Sequence, residues 1–549
     1  MIGLTRVWAA ALVWLGAALA GSTTRAEAVS AANSSETTLR LHWAGMSLIA
    51  RSTNGAYLAG IRSLPQSKRF EGEILDRLAL FLAQARPASL VDVTNLGPVV
   101  SNTPAARLLR PLLGDVIENE AWIEAKPGQW SLAVRLNEAK ATTWGSSLTA
   151  GLPQIPGASR AGSVSSFPTW QLPDSRRASI TRQRGWTVVS LWTGVGAAPA
   201  PGFGPRLGEK PQVSAGTNDW IEGEVNLQAL LGPFAPGWTP PFGWPKTKVT
   251  VGGDGQNIVT RAVAVFPREL KLNLEPWLIP TNYIYGELAS FTAVRGLGQV
   301  LDSLPAWQKK DFALGTTPNQ FSAWSIMRLP IQTTAVVPDP NAAADTAVLT
   351  KWLLTRNQPW FSGSTVAQFV PAENGNGVQW GGLPYLAPRV CALTNNGRPL
   401  VLGTFGAVEG KPVGIPVELQ KTLAETNLVA YSWDFGAERL HQLVYTGQFI
   451  RFVFHKAQLA QDMAAIPWME AAGPRLGFCA SAIRQTGPNQ LSFVRRATLG
   501  LSSLDLHLLV DWVESPLFPN GFHTLSAPAP ADPVDLPSAH GGSTGSGVR

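Results

Sequence analysis

Charged side chains are scarce in this sequence: Asp, Glu, Lys and Arg supply 15% of 549 residues, while apolar residues supply 45%. A chain this long and this apolar can bury a large core, which excludes global disorder. Its length suits two to four ordinary domains. Cysteine is nearly missing, with Cys391 and Cys479 alone. Two cysteines cannot build a disulfide framework, and their spacing fits no zinc signature. In an exported chain the even count leaves one Cys391–Cys479 disulfide open, beside the alternative of two buried thiols. No Lys/Arg stripe occurs either. The densest basic patch, "DSRRASITRQRG", falls on a hairpin. That suits a solvated face and excludes nucleic acid as a partner.

Several chemical signatures are missing as well. There is no HExxH zinc motif and no GxSxG nucleophile elbow. "GAVEGKP" is one residue short of a phosphate loop and carries Pro412 where Ser or Thr would hold Mg²⁺. "GLGQVL" has Leu301 where the third dinucleotide-binding glycine belongs. No cofactor is expected.

What is present begins with "MIGLTRVWAAALVWLGAALAGSTTRAEAVS". Arg6 precedes an apolar run from Val7 to Ala20, and Ala26-Glu27-Ala28 offers a small-x-small cleavage site. Together these match a secretory signal peptide over residues 1–28, with a retained anchor as the alternative. The run is shorter than the roughly 20 residues that span a bilayer, and no later stretch is long enough, so no transmembrane span is expected after signal removal.

Hairpin signals recur, each with turn chemistry between two β-like runs: Lys126-Pro127-Gly128, Arg184-Gly185, Asp254-Gly255, Asn374 to Gly377, Asn396-Gly397 and Gly487-Pro488-Asn489. Helical spacing appears in "EILDRLALFLAQA", "NEAKATTWGSSL", "DTAVLTKWLLTRN", "PVELQKTLAET" and "LDLHLLVDWVES". Hairpins interleaved with helices predict an α+β fold of predominantly antiparallel sheet. A repeat is visible too. "TNDWIEGEVNLQALLG", "TNYIYGELASFTAVRGLGQVLDSLP" and "TNLVAYSWDFGAERLHQL" each start Thr-Asn, run as a strand and enter a leucine-spaced helix, and "STNGAYLAGIRSLPQ" is a looser copy. We therefore expect two related halves, residues 29–275 and 276–525. The Pro/Gly/Ser-rich residues 526–549 read as a disordered tail.

The stretches "LHWAGMSLIARSTN", "LEPWLIPTNYIYGELASFTAVRG" and "GPNQLSFVRRATLGLSSLDLHLLVDWVESPLFP" resemble an uncharacterised family of exported bacterial proteins, over about residues 39–525. More distantly, the chain is similar to exported domains of unknown function built from repeated strand–helix–hairpin units. The resemblance implies export and α+β architecture. It lends no catalytic residue to any position.

Three sets of side chains are candidates for chemistry. In "WIEGEV", Glu222 and Glu224 share one strand face, roughly 7 Å apart along the backbone, within the span of a glycosidase carboxylate pair. The alternative is a solvated strand face. In "FAPGWTPPFGWPK", Trp238, Phe242 and Trp244 sit on a stiff loop, able to stack on a sugar or partner surface or else to plug the core. In "TNLVAYSWDFGAERLHQL", Glu438 and His441 share a helix face, and His455, His507 and Asp511 could join them around a metal. The plainer reading is a strand running into a helix, with Trp433 on the strand's buried face, Asp434 capping the helix, Leu440 and Leu443 inward, and Glu438, Arg439 and Gln442 outward. With no catalytic signature intact, the expected function is non-enzymatic: a secreted or periplasmic binding or scaffolding protein of the cell envelope, meeting a protein or glycan. A hydrolase of an extracellular polymer is the alternative. Expressed from its own N-terminus in a secreting host, the chain is predicted to start at Val29; intact mass checks this, and a retained Met1 would contradict it.

Overall fold

The computed structural model describes residues 37–83 and 103–518 apart from loop segments within the second span, the longest being 209–218, 305–314 and 454–463. The signal segment and the tail from residue 519 lie outside the described residues. The first half opens with β1 (Leu39–Trp43) and four helices, α1 (Met46–Ile49), α2 (Ala56–Arg62), α3 (Pro65–Ala83) and α4 (Pro104–Glu118). Next come the hairpin β2 (Ala121–Lys126) and β3 (Gln129–Arg135), and α5 (Glu138–Gly151). Four strands follow: β4 (Ser159–Val164), β5 (Phe167–Gln171), β6 (Arg176–Gln183) and β7 (Trp186–Thr193). The half ends with β8 (Asp219–Asn226), α6 (Leu227–Leu231), β9 (Lys246–Gly253) and β10 (Ile258–Val265).

The second half repeats this plan. It runs β11 (Leu288–Arg295), α7 (Gly298–Asp302), β12 (Gln320–Ile326), β13 (Gln332–Pro338) and α8 (Ala342–Phe361). Then come β14 (Gln368–Pro371), β15 (Gly377–Gly381), β16 (Arg389–Asn395), β17 (Arg398–Phe405) and α9 (Val417–Leu423). The close is β18 (Leu428–Phe435), α10 (Gly436–Val453), α11 (Ala465–Ala472), β19 (Phe478–Gly487), β20 (Gln490–Ala497) and α12 (Ser503–Glu514). All six predicted hairpins form, although the turn before Gly377 lies outside the described residues. Arg184-Gly185 and Asn396-Gly397 turn with positive φ at both central residues, as a two-residue hairpin loop with the sheet's twist requires.

Among the described residues the strands form one sheet of twenty, and every pairing is antiparallel. From one edge the order is β4-β5-β6-β7-β3-β2-β1-β8-β9-β10. It continues β20-β19-β18-β11-β12-β13-β17-β16-β15-β14. Read inward from either edge, each strand of the first half matches the strand ten numbers later in the second. The halves meet through β10 and β20, paired over the full length of both strands from Ile258↔Ala497 to Val265↔Gln490. Within each half the strand–helix–hairpin plan occurs twice, at β1–β3 and β8–β10, then at β11–β13 and β18–β20. Thr-Asn precedes β8, β11 and β18. Thr53-Asn54, taken as the looser copy, follows β1 in a 3₁₀ turn instead.

Each half buries its largest apolar cluster on a different face. Leu41, Ile123, Leu132 and Val134 pack under α4 and α5 with Leu112, Val116, Trp144 and Leu148. Phe291, Trp324, Val336, Leu402 and Ala482 pack with Leu419 and Leu423 of α9. The register explains the switch. Ala262, packed on the first cluster, faces Phe493, whereas Ala482 of the second faces Val494, and successive residues of a strand point to opposite faces. The first-half helices then reach over to those of the second. Phe70 of α3 stacks on Trp468 of α11 at 4.8 Å, Tyr57 donates to the Arg475 carbonyl at 2.7 Å, and Arg77 donates to the Val513 carbonyl at 2.8 Å. Inside the second half, buried Arg295 donates to the carbonyls of Glu425, Thr426 and Leu428 and of Glu275 at the boundary, at 2.7–2.9 Å, and stacks over Trp277.

The structure corrects the disulfide expectation. Cys391 and Cys479 are both free and buried. They sit on β16 and β19, with β18, β11, β12, β13 and β17 between those strands, too far apart for a bond that needs Cα atoms within about 7 Å. Among the described residues no helix is long and apolar enough to cross a membrane. Phe70→Ala removes a ring that bridges the two helix sets. It should cost about 3–5 kcal/mol in urea unfolding, and a loss within 1 kcal/mol of zero would show that the bridge is dispensable.

Candidate functional site

The first half places polar side chains on the sheet face opposite α4 and α5. Alternation along β1, β2 and β8 does this: Leu39, Leu41, Ile123 and Ile221 turn toward the helices, so Arg40, His42, Trp122, Glu124, Glu222 and Glu224 turn away. Register then lines them up across strands. One row runs Glu124, Arg40, Glu224, Lys248, Val263, alternating in charge until it meets the valine. The neighbouring row runs Trp122, His42, Glu222, Thr250, Arg261.

The β2 end of these rows is closed. Glu124 is 2% exposed and accepts from Arg40 Nε at 2.9 Å, the Gly202 amide at 2.7 Å and Lys126 Nζ at 2.9 Å. Burial pushes its carboxyl up, but the hydrogen bonds from Lys126, Gly202 and Arg40 outweigh that and hold it below the usual range. Gly202 leaves room for this pair, since a Cβ there would stand 2.6 Å from the Arg40 guanidinium and 2.8 Å from a Glu124 oxygen and would push those side-chain ends aside. Beside this group, His42 Nε2 lies 2.9 Å from Glu120, and its ring packs at 4.6 Å on Trp122. Phe203 and Leu207 fold over Trp122, Trp186 and Val188 as a lid. None of these residues was singled out in the sequence. The signal was there in the polar alternation of "LRLHW" and "AWIEAK", but the partners lie up to 84 residues apart.

Toward the centre the face opens. Glu222 and Glu224 share it, as predicted, and both are exposed, with Glu224 3.7 Å from Lys248. Two solvated carboxylates on one strand lack the contrasting surroundings that separate an acid from a base. The aromatic loop lies back on the protein: Trp238 donates to Ser303 Oγ at 3.1 Å and meets Trp244 edge-on at 5.4 Å, while buried Phe242 meets Phe266. Past it, Arg261, Val263 and Val265 of β10 and Arg496 of β20 stand exposed on bare sheet.

The metal candidates are not gathered. Strand β18 does run into helix α10, where Glu438 and His441 face solvent and His441 packs on Tyr445. His507 and Asp511 are on α12, with the His507 ring against Gly447, and His455 lies outside the described residues. Among the described residues no group of three or more His, Cys, Asp or Glu could hold a metal. Two other expectations for this stretch change. Gln442 is buried, not outward, because its amide donates to the carbonyls of Ile326 and Arg328 at 2.8 and 3.1 Å. Arg439 is half-buried rather than outward.

Asp434 does not cap α10 either. It is buried on β18 and accepts from the amide and hydroxyl of Ser503 at 3.2 and 3.1 Å, so it holds the first turn of α12. Arg439 and Arg495 lie near it, and Arg495 is held in turn by Ser481 Oγ at 2.9 Å and Asp505 at 2.7 Å. Burial raises the Asp434 carboxyl to about 6 against the pull of Ser503, and lowers Arg439 to about 10. Burial also raises Cys479 to about 12, which removes it as a thiolate nucleophile.

Comparison with known proteins adds little. No family model matches the chain, and no curated protein does. Crystal forms III and I of TP0453 are similar at 10% and 8% identity, covering 42% and 44% of this chain and 97% and 100% of theirs, with a TM-score of 0.20 in each case. A likeness at that score carries no argument, and the exported family resembled by the sequence is not confirmed by it.

The raised Asp434 carboxyl fixes the sign of a pH effect. The fold favours the protonated form, so the contribution is complete below about pH 4, declines as pH rises toward 6 and is flat above; the change is about 3 kcal/mol at most. Urea unfolding of the parent and Asp434→Asn should therefore diverge, the parent gaining relative to the variant on going from pH 7 to pH 4.5. A constant difference, or a gain toward neutral pH, would contradict this assignment.

Proposed function

We propose that this chain is a non-enzymatic binding or scaffolding protein of the cell envelope, exported and mature from residue 29, engaging an envelope protein or glycan through the uncovered sheet face of β9, β10 and β20. The observation that carries this reading is the exposure of Val263 and Val265, at 36% and 44%, on a strand in the middle of the sheet, between β9 and β20. Single exposed apolar residues are ordinary. Two on one strand face, next to Arg261, Arg496, Lys246 and Lys248, form an apolar strip with a basic surround, which is the composition of a docking face with a polar rim. Ion pairing on the β1–β2–β8 side supports the same reading: Glu120, Glu124 and Glu224 face cationic or imidazole partners within the protein and so stiffen the floor.

The polymer-hydrolase reading would need Glu222 and Glu224 to work as acid and base. No observation favours it over the binder, and the two are separable. The mature protein should co-sediment with its host's envelope fraction. Val263→Asp with Val265→Asp should lower the retained fraction at least about fivefold without loss of folding, because two carboxylates are placed in the strip. Glu222→Gln with Glu224→Gln should leave retention intact. Parent protein that stays in the supernatant at both low and high salt would overturn the envelope reading, and polymer hydrolysis lost in the Gln variant would replace it with the enzyme.

A further inference from the structure

The open face ends in a cleft at the edge of the basic surround, where Arg261 and Arg496 meet. Its walls are Gly252, Asp254, Val259, Arg261, Arg496 and Asn54, around a volume of about 280 Å³. That lies just under the range of about 300–1,000 Å³ for small-molecule sites, so the cleft fits one compact group with the rest of a ligand left outside. Two guanidinium groups converge on it. Val259 pairs with Arg496 and Arg261 with Val494, so the two arginines are diagonal neighbours on one face, with backbones roughly 7–8 Å apart. Adjacent like charges cost stability unless something answers them. Asp254 only half answers Arg496, at 4.0 Å, and already accepts from the amides of Gln256 and Asn257 in its own turn. Among the described residues Arg261 has no ion-pair partner.

We infer that the Arg261–Arg496 cleft binds the phosphate group of an anionic ligand. One carboxylate saturates a single guanidinium fork, whereas a phosphate has enough terminal oxygens to accept from two forks at once. Arg is also suited to a half-open site, being always charged and weakly hydrated. Val259 supplies an apolar wall and Gly252 a floor with no side chain. The assignment rests on the reading of this face as a binding surface and narrows it to a ligand chemistry. A phosphate headgroup in a lipid surface and a free phosphorylated molecule share that chemistry.

Isothermal titration of the full mature chain with inorganic phosphate and pyrophosphate tests the site, and flotation with phosphatidylcholine vesicles with and without phosphatidic acid separates the two sources. Arg261→Gln and Arg496→Gln should each weaken phosphate binding at least about fivefold, and the double variant should abolish it, while Arg398→Gln, on an exposed hairpin turn, should bind as the parent does. Capture by phosphatidic acid vesicles would assign a headgroup; binding of the soluble anions alone would assign a free ligand. Phosphate binding that is absent in the parent, unchanged in the double variant or equally reduced by Arg398→Gln would overturn the inference. Its failure is distinct from that of the envelope reading, which is tested through Val263 and Val265: retention without phosphate binding sinks only the cleft, and phosphate binding without retention sinks only the envelope role.

Discussion

Every strand in this molecule answers to one constraint: backbone N–H and C=O groups in an extended segment must be paired on both sides or left to water. Among the described residues a sheet of twenty strands meets it with two edges, β4 and β14. The join between β10 and β20 makes that economy possible, because two separate ten-stranded sheets would have four edges. The helices follow from the same constraint. Once the sheet is continuous its apolar faces are fixed by register, and α4 and α5 cover one while α9 covers the other.

Buried charge is then spent on geometry. Arg295 is satisfied by main-chain carbonyls, Glu124 by Arg40, Lys126 and an amide, and Asp434 by the first turn of α12. Each sits on a strand and ties segments far apart in sequence. Groups so completely engaged have little left to offer a substrate. Arg261, with no ion-pair partner among the described residues, stands instead exposed at the centre of the sheet.

Much of the fold was legible because its signals are local. A turn such as Asn396-Gly397 declares itself within four residues, and the leucine spacing of α12 within twelve. The strand-into-helix reading of residues 426–443 rested on the same kind of signal, and β18 and α10 form there. What failed was long-range. Gln442 looked like an outward residue of an amphipathic helix, yet two carbonyls more than a hundred residues earlier draw it inward. Asp434 looked like a cap for the helix beside it and serves one that begins at Ser503. The helix α4 was not anticipated, since Pro111 in its interior masks an otherwise regular pattern. The candidate site was legible only at Glu222, Glu224 and the aromatic loop. Arg261 and Arg496 are 235 positions apart, and nothing but the central ladder makes them neighbours.

That ladder carries an evolutionary implication. It joins two strands that hold corresponding places in halves of identical order, running antiparallel and in register along their full length. Such a seam has the symmetry of a homodimer interface, in which a surface meets its own copy about a two-fold axis. A single-copy ancestor with β10 at its edge would have satisfied that strand by pairing with a twin. Fusion of two such copies would make the partnership permanent and leave each free to differ, as the long helical excursion between β1 and β2 and the helices between β18 and β19 now do. Arg261 and Arg496, diagonal neighbours across the seam at non-equivalent places in β10 and β20, would on this history have arisen only after the twins stopped being identical.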